Sequence, residues 1–270
     1  MTRVVLPLLF SIALAAAQPF VPAPGADPLH RPFDQILDVN VRDGMVYYRA
    51  LQSSRASLDR YIASLNVPPA VYDKMSKPQQ MAFWVNAYNA FVLQTVVGHY
   101  PMHGTIRQIP GAFDKTTWRA AGKSVTLDQI EKTILPDFKE PRLYLALGRG
   151  AVGSGRLRSE AYTAERLEKQ LADIRSEFVN NTHMYRLDRL TNTISVTPII
   201  SWRDAEFIAA YDKNDPVFAQ RSPIERAVVA FISPHLLFSE KELIQKNEWK
   251  MTFLDMDWRL NDLTGGSRIE

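Results

Sequence analysis

Apolar residues recur at helical spacing over two long stretches of the chain. This pattern predicts helices over residues 54–65 and 76–97. In the second helix Ser76 stands at the N-cap position, and Pro101 follows soon after the last turn. Its large apolar residues recur on one face: Trp84, Tyr88, Phe91, Val92 and Val96. We expect that face to belong to the hydrophobic core.

Shorter apolar runs predict a small amount of β-structure. Residues 184–187 and 193–196 are β-prone and are separated by a polar turn, which predicts a hairpin. Residues 143–147 are apolar and lead into a glycine-rich segment, so they are predicted as a buried strand. The predicted fold class is α+β, a helix-rich single domain with a small antiparallel sheet.

Two capping-box spacings mark further helix starts. Thr126 with Gln129 predicts the start of a helix that carries Lys132, and Ser239 with Glu242 predicts the start of a late helix.

Residues 148–158 are rich in glycine and arginine and contain one serine. The residues of interest are Gly148, Arg149, Gly150, Gly153, Ser154, Arg156 and Arg158. The glycine spacing matches a dinucleotide-binding fingerprint, but the next predicted helix starts only near Thr163. Its dipole would not point at a phosphate held by the glycines, so a nucleotide site is not favoured.

Four blocks of the chain match the motifs of one family in order. Gly153 and Leu157-Arg158 fit a Gly-Cys-Pro-Pro-Leu-Arg turn, and residues 160–163 fit the Glu-Ala-Tyr-Thr after it. The other blocks are residues 83–90, Trp202 with Phe207, and residues 257–261. The chain therefore resembles the domain-of-unknown-function family 547 of bacteria and plants. The resemblance implies a papain-like cleft with a Cys and a His facing each other.

Both catalytic positions differ from the family pattern. Ser154 stands where the cysteine belongs, and Lys132 follows Ile130-Glu131 where relatives show a histidine. The chain contains no cysteine, so it cannot use thiolate chemistry. A serine needs a general base within hydrogen-bond reach, and the resemblance makes Lys132 the candidate base.

Two functional hypotheses follow. In the first, the protein is a catalytically degenerate homologue that binds a small or peptidic anionic ligand, with the loop glycines and Arg149, Arg156 and Arg158 as its contacts. In the second, it is a serine hydrolase that uses Ser154 with Lys132. Arginines that merely solvate an exposed loop are a third interpretation of the same pattern. The supporting residues predicted around the site are Asn86, Asn89, Glu131, Glu160 and Trp202.

The N-terminal region has the features of an export signal. Residues 1–17 contain Arg3, an apolar run and a small-residue cleavage site, and the proline-rich residues 18–30 predict a linker before a domain at 31–270. We expect a periplasmic or secreted protein without a stable membrane anchor, because the apolar run is shorter than a bilayer span.

The net charge and the positions of the histidines limit the classes of partner that the sequence predicts. Loss of residues 1–17 leaves a net charge of +2, too small to indicate nucleic-acid binding. His99 and His103 have the spacing of helical metal ligands, but Pro101 lies between them and breaks the helix. No metal or other cofactor is therefore predicted, and the expected partner is a small molecule or a peptide.

Overall fold

The computed structural model describes residues 27–102 and 104–263. The predicted signal at 1–17, residues 18–26 and His103 lie outside the described residues. The α-helices are α1 (Arg31–Asn40), α2 (Tyr48–Ser53), α3 (Arg55–Ser64), α4 (Pro69–Tyr72), α5 (Lys77–His99), α6 (Leu127–Gln129), α7 (Arg142–Leu145), α8 (Leu167–Asn180), α9 (Pro198–Trp202), α10 (Asp204–Tyr211), α11 (Pro223–Ile232) and α12 (Phe238–Gln245). The strands are β1 (Val41–Arg42), β2 (Met45–Val46), β3 (Trp118–Ala120), β4 (Lys123–Val125), β5 (Tyr185–Asp188), β6 (Thr193–Val196) and β7 (Lys250–Phe253). None of the helices in the described part has both the length and the apolar character that a membrane span requires.

Helix α5 lies at the centre of the core. Ser76 caps it as predicted: Gln79 N–H donates to Ser76 Oγ at 3.4 Å, and Ser76 N–H donates to Gln79 Oε1 at 2.8 Å. Every residue from Ala82 to Val97 is buried, so the helix is covered on all sides rather than on one face. Helices α2 and α3 pack against it, and α1 packs against both of them. The surrounding core forms a single apolar cluster that extends from Phe33 to Leu260.

The β-structure is small and mostly antiparallel. Strands β1 and β2 pair with each other, as do β3 and β4. The predicted hairpin is β5 and β6, in which Leu187 lies opposite Ile194, and β7 adds a parallel strand beside β6. The prediction of a helix-rich α+β fold with a small antiparallel sheet is confirmed.

The structure corrects two local predictions and confirms a third in part. Residues 143–147 are buried, but they form α7 and an irregular segment rather than a strand, because a short apolar run fits either kind of buried element. Helix α12 begins at Phe238, one residue before the predicted cap, and Glu240 Oε2 accepts a bond from the Leu237 N–H at 3.0 Å. The Thr126 capping box is confirmed, but α6 turns at once into a π-helix (Ile130–Ile134) and then a 3₁₀-helix (Leu135–Phe138).

Residues 27–30 form a turn that leads directly into α1. Asp27 O accepts bonds from the His30 and Arg31 N–H groups, at 3.1 and 2.9 Å. His30 is buried beside Tyr61, so this end of the predicted linker packs with the domain.

Candidate functional site

Two buried asparagines of α5 hold the ends of the loop at 148–163. Asn89 Oδ1 accepts a bond from Gly148 N–H at 2.8 Å, and its Nδ2 donates to Ala146 O at 3.2 Å. Asn86 makes the equivalent pair of bonds with the N–H and C=O of Tyr162, at 2.9 and 2.8 Å. Both side chains therefore act as backbone clamps, which satisfies their polar groups inside an apolar helix.

The middle of the loop is held by residues 257–263, which we name the C-terminal strap. Gly153 N–H donates to Asp257 O at 2.8 Å, and Val152 N–H donates to Arg259 O at 2.9 Å. A Cβ at position 153 would stand 2.6 Å from the Asp257 nitrogen, so only glycine fits this close approach. The loop is thus fixed by elements that come both before and after it in the chain.

Ser154 lies in the wall of a groove, with its hydroxyl bonded to the backbone of its own loop. Oγ donates to Ala151 O at 2.7 Å and accepts a bond from Arg149 N–H at 3.1 Å. The side chain is buried, and its described hydrogen-bond partners include no lysine or histidine. In this arrangement no general base is bonded to the hydroxyl.

Lys132 projects from the π-helical turn into solvent. Its side chain is 63% exposed, and Nζ forms an ion pair with Asp128 at 2.7 Å, one helical turn earlier. The hydrogen bonds of Lys132 and Ser154 are therefore separate.

Arg149 is buried in the core, where it pairs with Glu131 from the π-helical turn. Its Nη2 lies 2.6 Å from Glu131 Oε1 and its Nε 3.2 Å from Oε2, while Nη1 donates to Tyr144 O and Leu147 O. Tyr88 OH donates to the same carboxylate at 3.1 Å. The carboxylate and guanidinium thus satisfy each other inside the core.

The charges of this buried group shift the pKa values of its members. Burial alone would raise the pKa of Glu131, but the charge and hydrogen bonds of Arg149 hold it below its usual value. Burial also opposes the charged form of Arg149, yet Glu131 raises the pKa of that guanidinium. Burial and the neighbouring Glu131 raise the pKa of Tyr88 well above its usual value. At neutral pH the group is an ion pair with a neutral phenol.

Trp202 lies beside this buried pair and is 44% exposed. The Arg149 guanidinium carbon is 5.9 Å from the Trp202 ring centre, and the ring stacks on Trp258 of the C-terminal strap with centres 6.3 Å apart. Two of the family-like blocks therefore meet next to Arg149.

The other two loop arginines face α8 rather than Arg149. Arg156 contacts Asp43 at 2.8 Å and Glu177 at 3.4 Å. Arg158 contacts Glu160 and Glu177 at 3.1 Å each. The structure does not bring the three arginines to one point, and each already has a carboxylate partner.

The groove that contains Ser154 has a volume of about 630 Å³, and we name it the Ser154 groove. Six of its fifteen lining residues carry amide or hydroxyl side chains. The lining residues are Asp43, Gly44, Met45, Ala151, Val152, Ser154, Gly155, Arg156, Ser176, Glu177, Asn180, Asn181, Thr182, His183 and Asn261. Most of these were not predicted, because the polar run at 180–183 indicates only a loop between a helix and a strand.

Among the groove residues that sequence reasoning missed, His183 carries an imidazole. Its Nδ1 lies 3.7 Å from Asp257 Oδ2 on the C-terminal strap. Hydrogen bonds from Arg259 lower the pKa of Asp257, so that carboxylate is charged at neutral pH. The imidazole thus lies next to a carboxylate and lines the same groove as Ser154.

The described residues contain no group of three or more His, Asp or Glu side chains placed to hold a metal ion. This finding covers residues 27–102 and 104–263.

Comparison with known proteins gives a family match for part of the chain. Residues 72–179 match the model of the family described as "Protein of unknown function, DUF547". The predicted family is confirmed over this segment. The DUF547 segment contains α5, the π-helical turn, the loop and nearly all of α8, while His183 and the C-terminal strap lie beyond it. No curated protein and no solved structure matches the chain.

Proposed function

We propose that this protein binds a small polar or peptidic ligand in the Ser154 groove and does not use thiol chemistry. One observation carries the proposal. The side chain at the family's cysteine position lies in the groove wall, but its hydroxyl is bonded to Ala151 O and Arg149 N–H of its own loop. The site is therefore organised as a binding surface in which the residue at the nucleophile position is structural.

The lining supports a ligand with amide or hydroxyl groups. Asn180, Asn181, Thr182 and Ser176 supply donors and acceptors along one wall, and Met45 and Val152 add apolar contact. The arginines do not favour a purely anionic ligand, because Arg149 is buried against Glu131 and Arg156 is already paired with carboxylates. We therefore expect peptide-like rather than phosphate-like recognition.

Binding is tested by calorimetric titration with a panel of capped di- and tripeptides rich in Ser, Asn and Gly. Asn180→Trp should abolish binding by filling the groove, since Asn180 is exposed at the end of α8. The matched control is Ala209→Trp on the exposed face of α10, outside the groove. Peptides that bind equally well to both variants would place their site elsewhere and overturn the proposal.

A second candidate function has its own observation in the structure. Ser154 and His183 line the same groove, and Asp257 lies 3.7 Å from the His183 ring, which favours a serine hydrolase with His183 as base rather than Lys132. For this, the Ser154 hydroxyl must leave its bond to Ala151 O and turn toward the imidazole.

Covalent labelling separates the two candidates. A fluorophosphonate probe should leave the wild-type protein unlabelled if the groove only binds. Labelling that is lost in Ser154→Ala and in His183→Gln, but retained in Lys132→Ala, would establish the hydrolase and reject binding without turnover.

A further inference from the structure

A second groove continues from the Ser154 groove along α8. It has a volume of about 500 Å³ and shares Arg156 and Glu177 with the first. We name it the charged groove because most of its lining residues are Asp, Glu, Arg or Lys. Its lining residues are Asp34, Asp38, Arg156, Arg158, Ser159, Glu160, Arg166, Lys169, Gln170, Asp173 and Glu177.

Each basic side chain of the two grooves is already occupied by a carboxylate. Arg156 and Arg158 have the partners described above, and Arg166 contacts Glu160 at 2.7 Å and Asp34 at 3.5 Å. Lys169 contacts Asp173 at 2.7 Å. An anionic ligand would have to displace a protein carboxylate to reach any of these cations.

The carboxylates, in contrast, retain free acceptor capacity. Six of them line the two grooves, against four arginine and lysine side chains. Asp38 is exposed, and its carboxylate has no hydrogen-bond or ion-pair partner among the described residues. Asp43 has one partner and a side chain that is 91% exposed. A carboxylate has about four acceptor sites, so these groups can each take further donors.

We infer that the two grooves together bind an extended basic peptide, with its backbone in the Ser154 groove and its Lys or Arg side chains against the carboxylates of the charged groove. This inference rests on the proposed function and adds the charge and the length of the ligand. The excess of carboxylates disfavours acidic peptides, and the shared residues Arg156 and Glu177 make the path continuous.

The test compares three capped peptides by calorimetric titration at low salt. A neutral Ser-Asn-Gly tripeptide reports the Ser154 groove alone, and two octapeptides that continue with alternating Lys or alternating Glu report the charged groove. The Lys peptide should bind at least about tenfold more tightly than the Glu peptide. The difference should shrink at roughly 0.5 M salt, where exposed charges are screened.

A single carboxylate gives the matched control. Asp38→Asn should weaken binding of the Lys peptide roughly two- to fivefold, which is the effect of one exposed ion pair. The affinity for the neutral tripeptide should not change. Asp73 is exposed and lines neither groove, so Asp73→Asn should leave the affinity for both peptides unchanged.

The outcomes distinguish the two proposals. If the neutral tripeptide binds but Lys and Glu peptides bind alike, or Asp38→Asn has no effect, the inference fails and the proposed function stands. If the Glu peptide binds more tightly than the Lys peptide, the grooves prefer acidic peptides and the inference is wrong. If none of the three peptides binds, both proposals are overturned.

Discussion

Arg149 shows how one residue can reverse its expected role. The sequence places it in a loop of glycines, where an arginine is typically a ligand contact or a solvated side chain. The structure buries it to 2% exposure, because Glu131 enters the core from the π-helical turn and needs a cation. The loop arginine is therefore part of the framework of the site.

This burial predicts a large effect on stability. Arg149→Met should lower the free energy of unfolding by about 3–5 kcal/mol, because it leaves the Glu131 carboxylate buried and uncompensated. Urea unfolding at pH 7 measures the change. Adding Glu131→Gln should restore part of the loss, since the remaining charge is removed.

Lys132→Ala is the matched control for Arg149→Met, since its ion pair with Asp128 is exposed. We expect a change within about 0.5 kcal/mol. Equal losses in the two variants would contradict the assignment of Arg149 to the core.

His30 predicts a dependence of stability on pH. Burial lowers the pKa of its imidazole from 6.5 to about 4, and the charge of Asp27 opposes this only in part. The folded state therefore binds the proton less readily than the unfolded state does. The neutral His30 ring therefore makes its full contribution to the free energy of unfolding above about pH 6.5. This contribution, about 3 kcal/mol, is lost as the pH falls toward 4.

The measurement is urea unfolding at several pH values between 7 and 4. In His30→Gln the loss of unfolding free energy caused by protonation of His30 should disappear. The loss caused by protonation of carboxylates should remain. A variant with the same slope as the wild type over pH 6.5–4 would show that His30 is not responsible.

At the scale of elements, the loop at 148–163 packs so closely against neighbouring backbone at some glycines that no side chain fits there. A Cβ on Gly155 would lie 2.0 Å from Leu145 O, whereas one on Gly98 in α5 would meet nothing within 4 Å. Gly155→Ala should therefore destabilise the protein by about 1–3 kcal/mol or more, since backbone has to move. Gly98→Ala should stabilise it by up to about 1 kcal/mol through helix propensity. Thermal unfolding of the pair tests this contrast, and similar melting temperatures would refute it.

Elements with a strong local signal were predictable from the sequence. The helix after Ser76, the hairpin at 184–196 and the Thr126 cap follow from spacing and turn chemistry, and the structure confirms them. The strand expected at 143–147 was wrong because burial on all sides removes the periodicity that separates helix from strand. The π-helical turn had no signal in the residue pattern.

At the scale of the whole molecule, the site is assembled from parts that are far apart in sequence. The loop could be located from its glycines and its family motif, but its partners could not. Asn261 bonds to Gly44 and Tyr48 more than 200 residues earlier, and His183 meets Asp257 only in the folded chain. Residue patterns report local geometry, so the groove and the role of each arginine required the tertiary structure.

Asn261 tests this long-range assembly. Its Nδ2 donates to Gly44 O at 2.7 Å, and its Oδ1 accepts from Tyr48 OH at 2.8 Å. Asn261→Ala should cost about 1–3 kcal/mol, because buried partners lose their hydrogen bonds. Hydrogen exchange should also quicken at the Val152 and Gly153 amides, which bond to the C-terminal strap. The exposed Asn180→Ala should leave those amides as slow as in the wild type.

The position of the C-terminal strap has a consequence for synthesis on the ribosome. Val152 and Gly153 find their acceptors on residues 257 and 259, so a nascent chain lacks them until more than 100 further residues have been added. Helix α5 and its asparagines can order the ends of the loop earlier. The Ser154 groove therefore lacks these contacts until residues 257–259 have been made, and chains that stop before them should not bind the ligand proposed for it.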